Sequence, residues 1–333
     1  MSASLEQLGY LETAYRSDQP IADRAVHPMG LWEGLMRQGT PLPLTQPTDK
    51  VSTTAIADMT PSEYRKVDQD PDNKHKGFFW TETKLSQEKL SGWTAVYLYA
   101  SGLGKIICWI FPPIFFLVLL HAVIFEGEPI IGAIEIFLLA SMYVLLPSGL
   151  LWGQFELMNR GYFTLWFLKA KKHYELNRKT GMVTLYKGNG KPRFSHPFHE
   201  FDCILTSSPT PQGLMNYGLF LVHRYNGYSF GVPLHSLMPS SPLVAEYHYL
   251  WNMIQAYMDV TSPMPDILVL EPAREKDPTT KAFDDKGLRG TALNMSGETA
   301  ANKTESKQRG SHFWRNMSDD DFEQTLKAIA KNQ

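Results

Sequence analysis

The sequence predicts a membrane α+β protein: a two-helix transmembrane hairpin, then a small antiparallel β domain with a closing helix, flanked by irregular arms. Three observations predict it. Two long apolar runs lie between Ile106 and Trp152, separated by Glu126-Gly127-Glu128. Short alternating segments broken by Gly and Asn turns fill 162–260. An apolar stripe at spacings of three and four closes that region, through Val244, Tyr247, Trp251, Ile254 and Met258. The 333 residues average a mean hydropathy of only -0.25, because the apolar signal is concentrated in one block.

The first run, Ile106 to Phe125, contains no Asp, Glu, Lys or Arg; the second, Pro129 to Trp152, contains only Glu135. About 20 residues rising 1.5 Å each span roughly 30 Å, the hydrocarbon thickness of a bilayer. A helix satisfies its own backbone polar groups, which lipid demands. Spans are therefore expected at about 106–125 and 129–152, within a hairpin covering 90–155. Trp93, Tyr97 and Tyr99 suit the interface before the first span, and Trp152 and Trp166 the interface after the second. Pro112-Pro113 removes backbone donors and predicts a kink.

Lys84, Lys89 and Lys105 precede the hairpin; Arg160, Lys169, Lys171, Lys172, Arg178 and Lys179 follow it; the turn carries only Glu126 and Glu128. Cationic flanks stay in the cytoplasm, so both termini are expected there. Met1 to Glu6 begins polar, with no apolar leader, so insertion is expected to depend on the hairpin. Cys108 and Cys203 are expected to be unlinked thiols. The net charge of -2 gives no strong field for a nucleic acid, and no such partner is expected.

Two ionisable groups lie inside the spans. In an antiparallel hairpin His121 and Glu135 both fall about 6–9 Å below the outer surface. They make a candidate intramembrane polar pair sharing a proton or hydrogen bond; a packing bond near the interface is the plainer alternative.

Residues 1–89 read as an irregular cytoplasmic arm, with a helical patch at Pro28 to Arg37 and loops at Gln38 to Pro43 and Gln69 to Asn73. In 162–260, strands are expected at His173 to Asn177, Met182 to Tyr186 and Phe198 to Leu205, followed by a loop at Ser207 to Pro211. Tyr225-Asn226-Gly227 predicts a hairpin joining Leu219–Arg224 to Tyr228–Val232. Ser241 and Pro242 are the expected cap and first residue of the closing helix. Residues 261–333 read as a polar tail, loose over 272–310. It ends in an amphipathic helix capped by Ser318-Asp319-Asp320-Asp321. Its stripe Phe322, Leu326 and Ile329 either docks on its own protein or fills a partner's groove.

His196, His199, Glu200 and Asp202 form the one dense cluster of ligand-type residues. On a strand His199 and Glu200 point to opposite faces, so a polar edge is expected rather than a metal centre. His223-Arg224 has no visible nucleophile, and no hydrolase, phosphate-loop or dinucleotide motif occurs. No catalytic residue, metal or cofactor is expected. Lys169, Lys171, Lys172, Arg178, Lys179, Lys187, Lys191 and Arg193 cluster after the second span and suit an anionic lipid surface, with Lys169, Lys171, Lys172, Arg178 and Lys179 the candidate contacts; the topology rule also accounts for much of this cluster.

The hairpin and the segment Tyr174 to Val183 resemble an uncharacterised family of bacterial two-span inner-membrane proteins. The likeness rests on an Arg-x-Thr strand-turn, here Arg178-Lys179-Thr180, and an aromatic-acidic strand, here Phe198 to Asp202, and covers roughly 80–260. Such genes often stand beside type VI secretion and other toxin genes. The resemblance implies an immunity or accessory protein that binds a toxin or secretion component. The order of strands and closing helix also resembles pleckstrin-homology-like domains, which implies a membrane-anchored lipid-sensing or scaffolding module as the alternative.

Overall fold

A computed structural model describes the chain except for 1–8, 20–38, 49, 70–79, 91, 128, 164, 166–167, 169, 211–212, 214 and 287–312. The expectations for Pro28 to Arg37, Asp70 to Asn73, Trp166, Lys169 and 287–310 lie outside the described residues. The chain divides into two compact units. One is Glu88–Lys171; the other joins Met1–Gln87 to Lys172–Gln333. The arm, β domain and tail drawn from the sequence are thus parts of one body. The apolar residues of the arm are too scattered to show a period, yet Tyr10, Tyr15, Leu42, Ile56, Tyr64 and Leu85 are all buried.

The smaller unit is a helical hairpin. Helix α3 (Gly92–Phe125) and helix α4 (Ile130–Asn159) are long and apolar enough to cross a membrane. Helix α3 begins well before the predicted span, since Lys105 is the only charge between Gly92 and Ile106. It runs through Pro112 and Pro113 and widens to a π-helical turn at Ala122–Glu126. A second π turn, Ser141–Leu145, precedes Pro147 in α4. There a proline ring would crowd the carbonyl four residues back in a regular helix.

The two helices meet through small residues. A Cβ on Gly104 would lie 2.7 Å from the Ser148 carbonyl oxygen. One on Gly149 would lie 3.8 Å from Cys108 Sγ. Ser101 is buried, and its hydroxyl donates back to the Tyr97 carbonyl (2.8 Å). Such a stripe lets helix backbones approach where no hydrophobic effect drives them together. The outer faces, among them Trp109, Ile114, Leu117, Ile131, Leu138 and Tyr143, are exposed.

In the larger unit, β2 (Lys84–Lys89), β3 (Lys171–Asn177), β4 (Met182–Tyr186) and β5 (Pro192–Pro197) form one sheet in that order. The second sheet has the order β1 (Thr40–Leu42), β6 (Phe201–Pro209), β7 (Met215–His223), β8 (Val232–Pro233). Strands β2 and β3 flank the helical hairpin in sequence and are bonded neighbours. The core is completed by α5 (Val244–Met258) and by short helices α1 (Thr53–Ile56) and α2 (Pro61–Gln69). Helices α6 (Glu271–Arg274), α7 (Pro278–Asp285), α8 (Phe313–Asn316) and α9 (Asp319–Asn332) follow α5.

Several local expectations need correction. Helix α5 starts at Val244, and Ser241 accepts from the Leu243 amide (3.2 Å) before the helix begins. Phe198–Glu200 is a 3-10 turn, and β6 runs through the expected loop to Pro209. The second arm of the Asn-Gly hairpin shrinks to two residues, β8. The described part of the stretch expected to be loose, 272–286, is packed: Ala273, Arg274, Asp277 and Thr280 are buried, and Arg274 pairs with Asp284 at 2.7 and 3.0 Å. Its polar composition misleads because its charges neutralise one another inside. The Ser318 cap holds, accepting from the Asp321 amide at 3.1 Å.

The helix contact has a direct test. Oxidising a Gly149→Cys variant in membranes should give an intramolecular crosslink to Cys108, read as a gel shift. Adding Gly104→Leu should reduce its yield, since that side chain must push Ser148 away at an overpacking cost of about 1–3 kcal/mol. A crosslink indifferent to Gly104→Leu would contradict the close approach.

Candidate functional site

Two clusters of charged side chains distinguish the larger unit. The first centres on Arg178, the first residue of the β3–β4 turn. Predicted to face lipid, it is fully buried, which removes it from the candidate lipid contacts. Its Nε and Nη2 donate to Asp277 at 3.1 and 3.2 Å. Nη1 donates to the carbonyls of Tyr257 and Asp259, and Nη2 to that of Ser262 (3.0 Å). These carbonyls close the C-terminal end of α5, where a cation complements the helix dipole. Asp277 in turn accepts from Tyr10 Oη (2.7 Å) and from the Thr280 hydroxyl and amide (2.6 and 3.0 Å). Burial raises its carboxyl, but the Arg178 charge and the bonds from Thr280 and Tyr10 outweigh this and hold it below the ordinary value. Every polar atom of the pair has a partner, and neither side chain reaches solvent. This is a structural fastener.

The second cluster lies where the two sheets come together. His196 on β5, Glu200 in the 3-10 turn and His223 at the end of β7 place ligand-type atoms within 4.8 Å of one another. His223 Nε2 lies 3.1 Å from Glu200 Oε2, and His196 Nε2 lies 2.9 Å from the Tyr228 hydroxyl. His196 Nδ1 stands 3.8 Å from Glu200, too far for a hydrogen bond. The sequence pointed to His196 and Glu200 but paired them with His199 and Asp202. Asp202 is instead held by Arg224 at 2.8 and 2.7 Å, and His199 is half-buried.

The spacing suits a divalent ion, but the protonation does not. His223 Nδ1 accepts from the backbone amides of Tyr225 and Asn226 (3.2 and 3.0 Å). That nitrogen therefore carries no proton, and the ring's one proton sits on Nε2, donated to Glu200. A metal on Nε2 would need an imidazolate, or a proton on Nδ1 aimed at two other donors. The same bonds bar His223 from acting as a base oriented by Glu200, because its second nitrogen faces backbone rather than substrate. The cluster is a buried hydrogen-bond network walled by Phe194, Phe201 and Tyr225.

The remaining predicted residues fall as follows. His121 is exposed and packs on Phe125 at 4.9 Å between ring centres; Glu135 is exposed on α4. Lys171 is exposed, and Lys172 reaches Glu175 at 3.3 Å. Lys179 is half-buried, and its carbonyl accepts from the Leu11 amide (3.0 Å). The stripe offered to a partner is covered by its own protein. Phe322 and Ile329 are buried, Leu326 packs on the core, and Phe322 meets Trp314 edge-on at 5.6 Å. The stripe was legible; which surface covers it was not. His223 was missed as a partner of Glu200 because only the β6–β7 register, Phe201 opposite His223, brings them together. Among known proteins, no family model, no curated sequence and no solved structure matches this chain.

Two outcomes follow. Because the folded pKa of Asp277 lies below the unfolded one, its contribution is complete at neutral pH and is lost as pH falls below about 4. Unfolding followed by tryptophan fluorescence should show this loss, and Asp277→Asn should remove that acid-dependent component. Zinc at neutral pH should leave the melting temperature unchanged, and nitrogen-15 NMR should find His223 as the Nε2–H tautomer. A zinc-induced rise in melting temperature lost in His223→Gln would overturn the tautomer assignment.

Proposed function

We propose that this chain is a bacterial inner-membrane protein with two spans and both flanks in the cytoplasm. Its α+β unit binds a protein partner as an immunity or accessory factor of a toxin-secretion system. One observation carries the membrane part: two long helices with apolar outer faces, whose flanking strands β2 and β3 are bonded neighbours. A chain that leaves a sheet and returns to the adjacent strand of that sheet crosses a bilayer an even number of times. The cations on both flanks and the acidic turn favour the cytoplasmic side.

A binding role, rather than hydrolysis, is favoured by the committed state of both nitrogens of His223. The order of four strands, a second sheet and the closing helix α5 favours a pleckstrin-homology-like reading of 162–260. The sheet also takes in β2 (Lys84–Lys89), from outside that range, so the hairpin stands as an insertion between β2 and β3. The secretion context rests on the resemblance over 80–260.

Alkaline carbonate should leave the chain in the membrane pellet, and reporters fused at either end should be active only in the cytoplasm. Co-expression with a toxin encoded beside it should restore growth. Release by carbonate would sink the membrane reading; toxicity undiminished by co-expression would sink the immunity reading alone.

A further inference from the structure

We propose that the β4–β5 turn is a docking surface for the anionic lipid headgroups of the membrane that holds the hairpin. The inference rests on the membrane-anchored reading above and adds the partner of one surface. It narrows the basic cluster read from the sequence to its members in and beside one turn, leaving out the buried Arg178.

Strand register decides which cations lie near the point where the chain enters and leaves the hairpin. Thr83, just before β2, accepts from the Arg178 amide at 2.8 Å, so β2 begins where β3 ends. β2 therefore runs back toward the end of the sheet where β3 starts at Lys171. Strand β4 is antiparallel to β3, with Asn177 opposite Met182 and Tyr174 opposite Leu185. The β3–β4 turn, with Arg178 and Lys179, thus lies at the far end. The β4–β5 turn lies at the near end, and extending the register sets Lys187 across from Lys172. Consistent with this, Lys172 Nζ stands 5.9 Å from the Tyr186 ring centre.

The near-end turn is firmly built. The Lys187 amide donates to the Lys191 carbonyl (2.8 Å), the Gly190 amide to the Lys187 carbonyl (2.8 Å), and the Lys191 amide to Asn189 Oδ1 (3.1 Å). Gly190 supplies the left-handed corner at φ 80°. Lys187, Lys191 and Arg193 are exposed, and among the described residues none of the three is in an ion pair. Lys172, by contrast, is committed to Glu175, and at the end of β2 Glu88 offsets Lys89.

A second observation sets this patch apart from an ordinary solvated face. The Arg193 guanidinium lies 3.7 Å over the ring of Phe230, and that ring is itself 45% exposed. Large apolar side chains are otherwise scarce on the surface of this unit, with Leu11, Met215 and Leu243 the other examples among the described residues. Cations around an exposed aromatic match the headgroup layer, where phosphates meet the first methylenes. The chemistry recognised is therefore phosphate-bearing lipid at a surface.

The test uses the full chain reconstituted in vesicles, with an environment-sensitive fluorophore on Gly188→Cys in a Cys108→Ser background. Gly188 has open space around it and Cys203 is buried, so the label reports the turn. Emission should move to the blue in vesicles containing phosphatidylglycerol relative to phosphatidylcholine alone, and high salt should reverse the shift. Each cation near an anionic surface is worth about a fivefold change in docking, so Lys187→Gln, Lys191→Gln and Arg193→Gln together should cost roughly a hundredfold. Equal emission in both vesicle types, with the chain still resistant to carbonate, overturns the docking surface and leaves the anchor intact. Release by carbonate overturns both.

Discussion

The buried bond between Arg178 and Asp277 is what the rest of the larger unit depends on. It joins the β3–β4 turn, the C-terminal end of α5, the start of α7 and, through Tyr10, the N-terminal segment. Withdrawing two charges from water costs several kcal/mol each, which is recovered only when every donor and acceptor is matched. Here the guanidinium spends its donors on one carboxylate and on helix-end carbonyls that would otherwise lack partners. Removing either partner would strand a charge in the core, typically at about 3–5 kcal/mol.

The same device recurs wherever this unit buries polar sequence. Glu246 of α5 caps α1, accepting from the hydroxyls of Ser52 and Thr53 and the amide of Thr54 at 2.8, 2.6 and 3.1 Å. Arg274 spans Asp284 and the Met264 carbonyl, and Arg224 holds Asp202 across β6 and β7. Each ties one element of the unit to another. Much of the folding information in the flanks therefore resides in matched charges and hydroxyls.

That explains what could be read in advance. The apolar helices announced themselves because lipid-compatible runs are long and continuous. Strand β4 and the Ser318-capped helix were legible because period-2 alternation and capping chemistry are local signals. The burial of Arg178, the Glu200–His223 bond and the ordered stretch after Ser262 were not, because each depends on a partner distant in sequence. Arg178 among lysines after a hydrophobic run reads as a flank cation; only the placement of Asp277 reverses that. The Phe322 stripe shows the same limit: amphipathicity reveals a face but not what covers it.

The insertion of the helices between β2 and β3 also orders events at the ribosome. The apolar pair is synthesised between the two strands, so β2 waits for its sheet neighbour until both helices have been made. Tyr10 must wait for Asp277, 267 positions later, which at 5–20 residues per second is roughly ten to fifty seconds of elongation. Until then the Tyr10 hydroxyl lacks the carboxylate that it donates to. The larger unit is thus completed late, and its core closes only when the helices after 312 bring Trp314 and Phe322 to it.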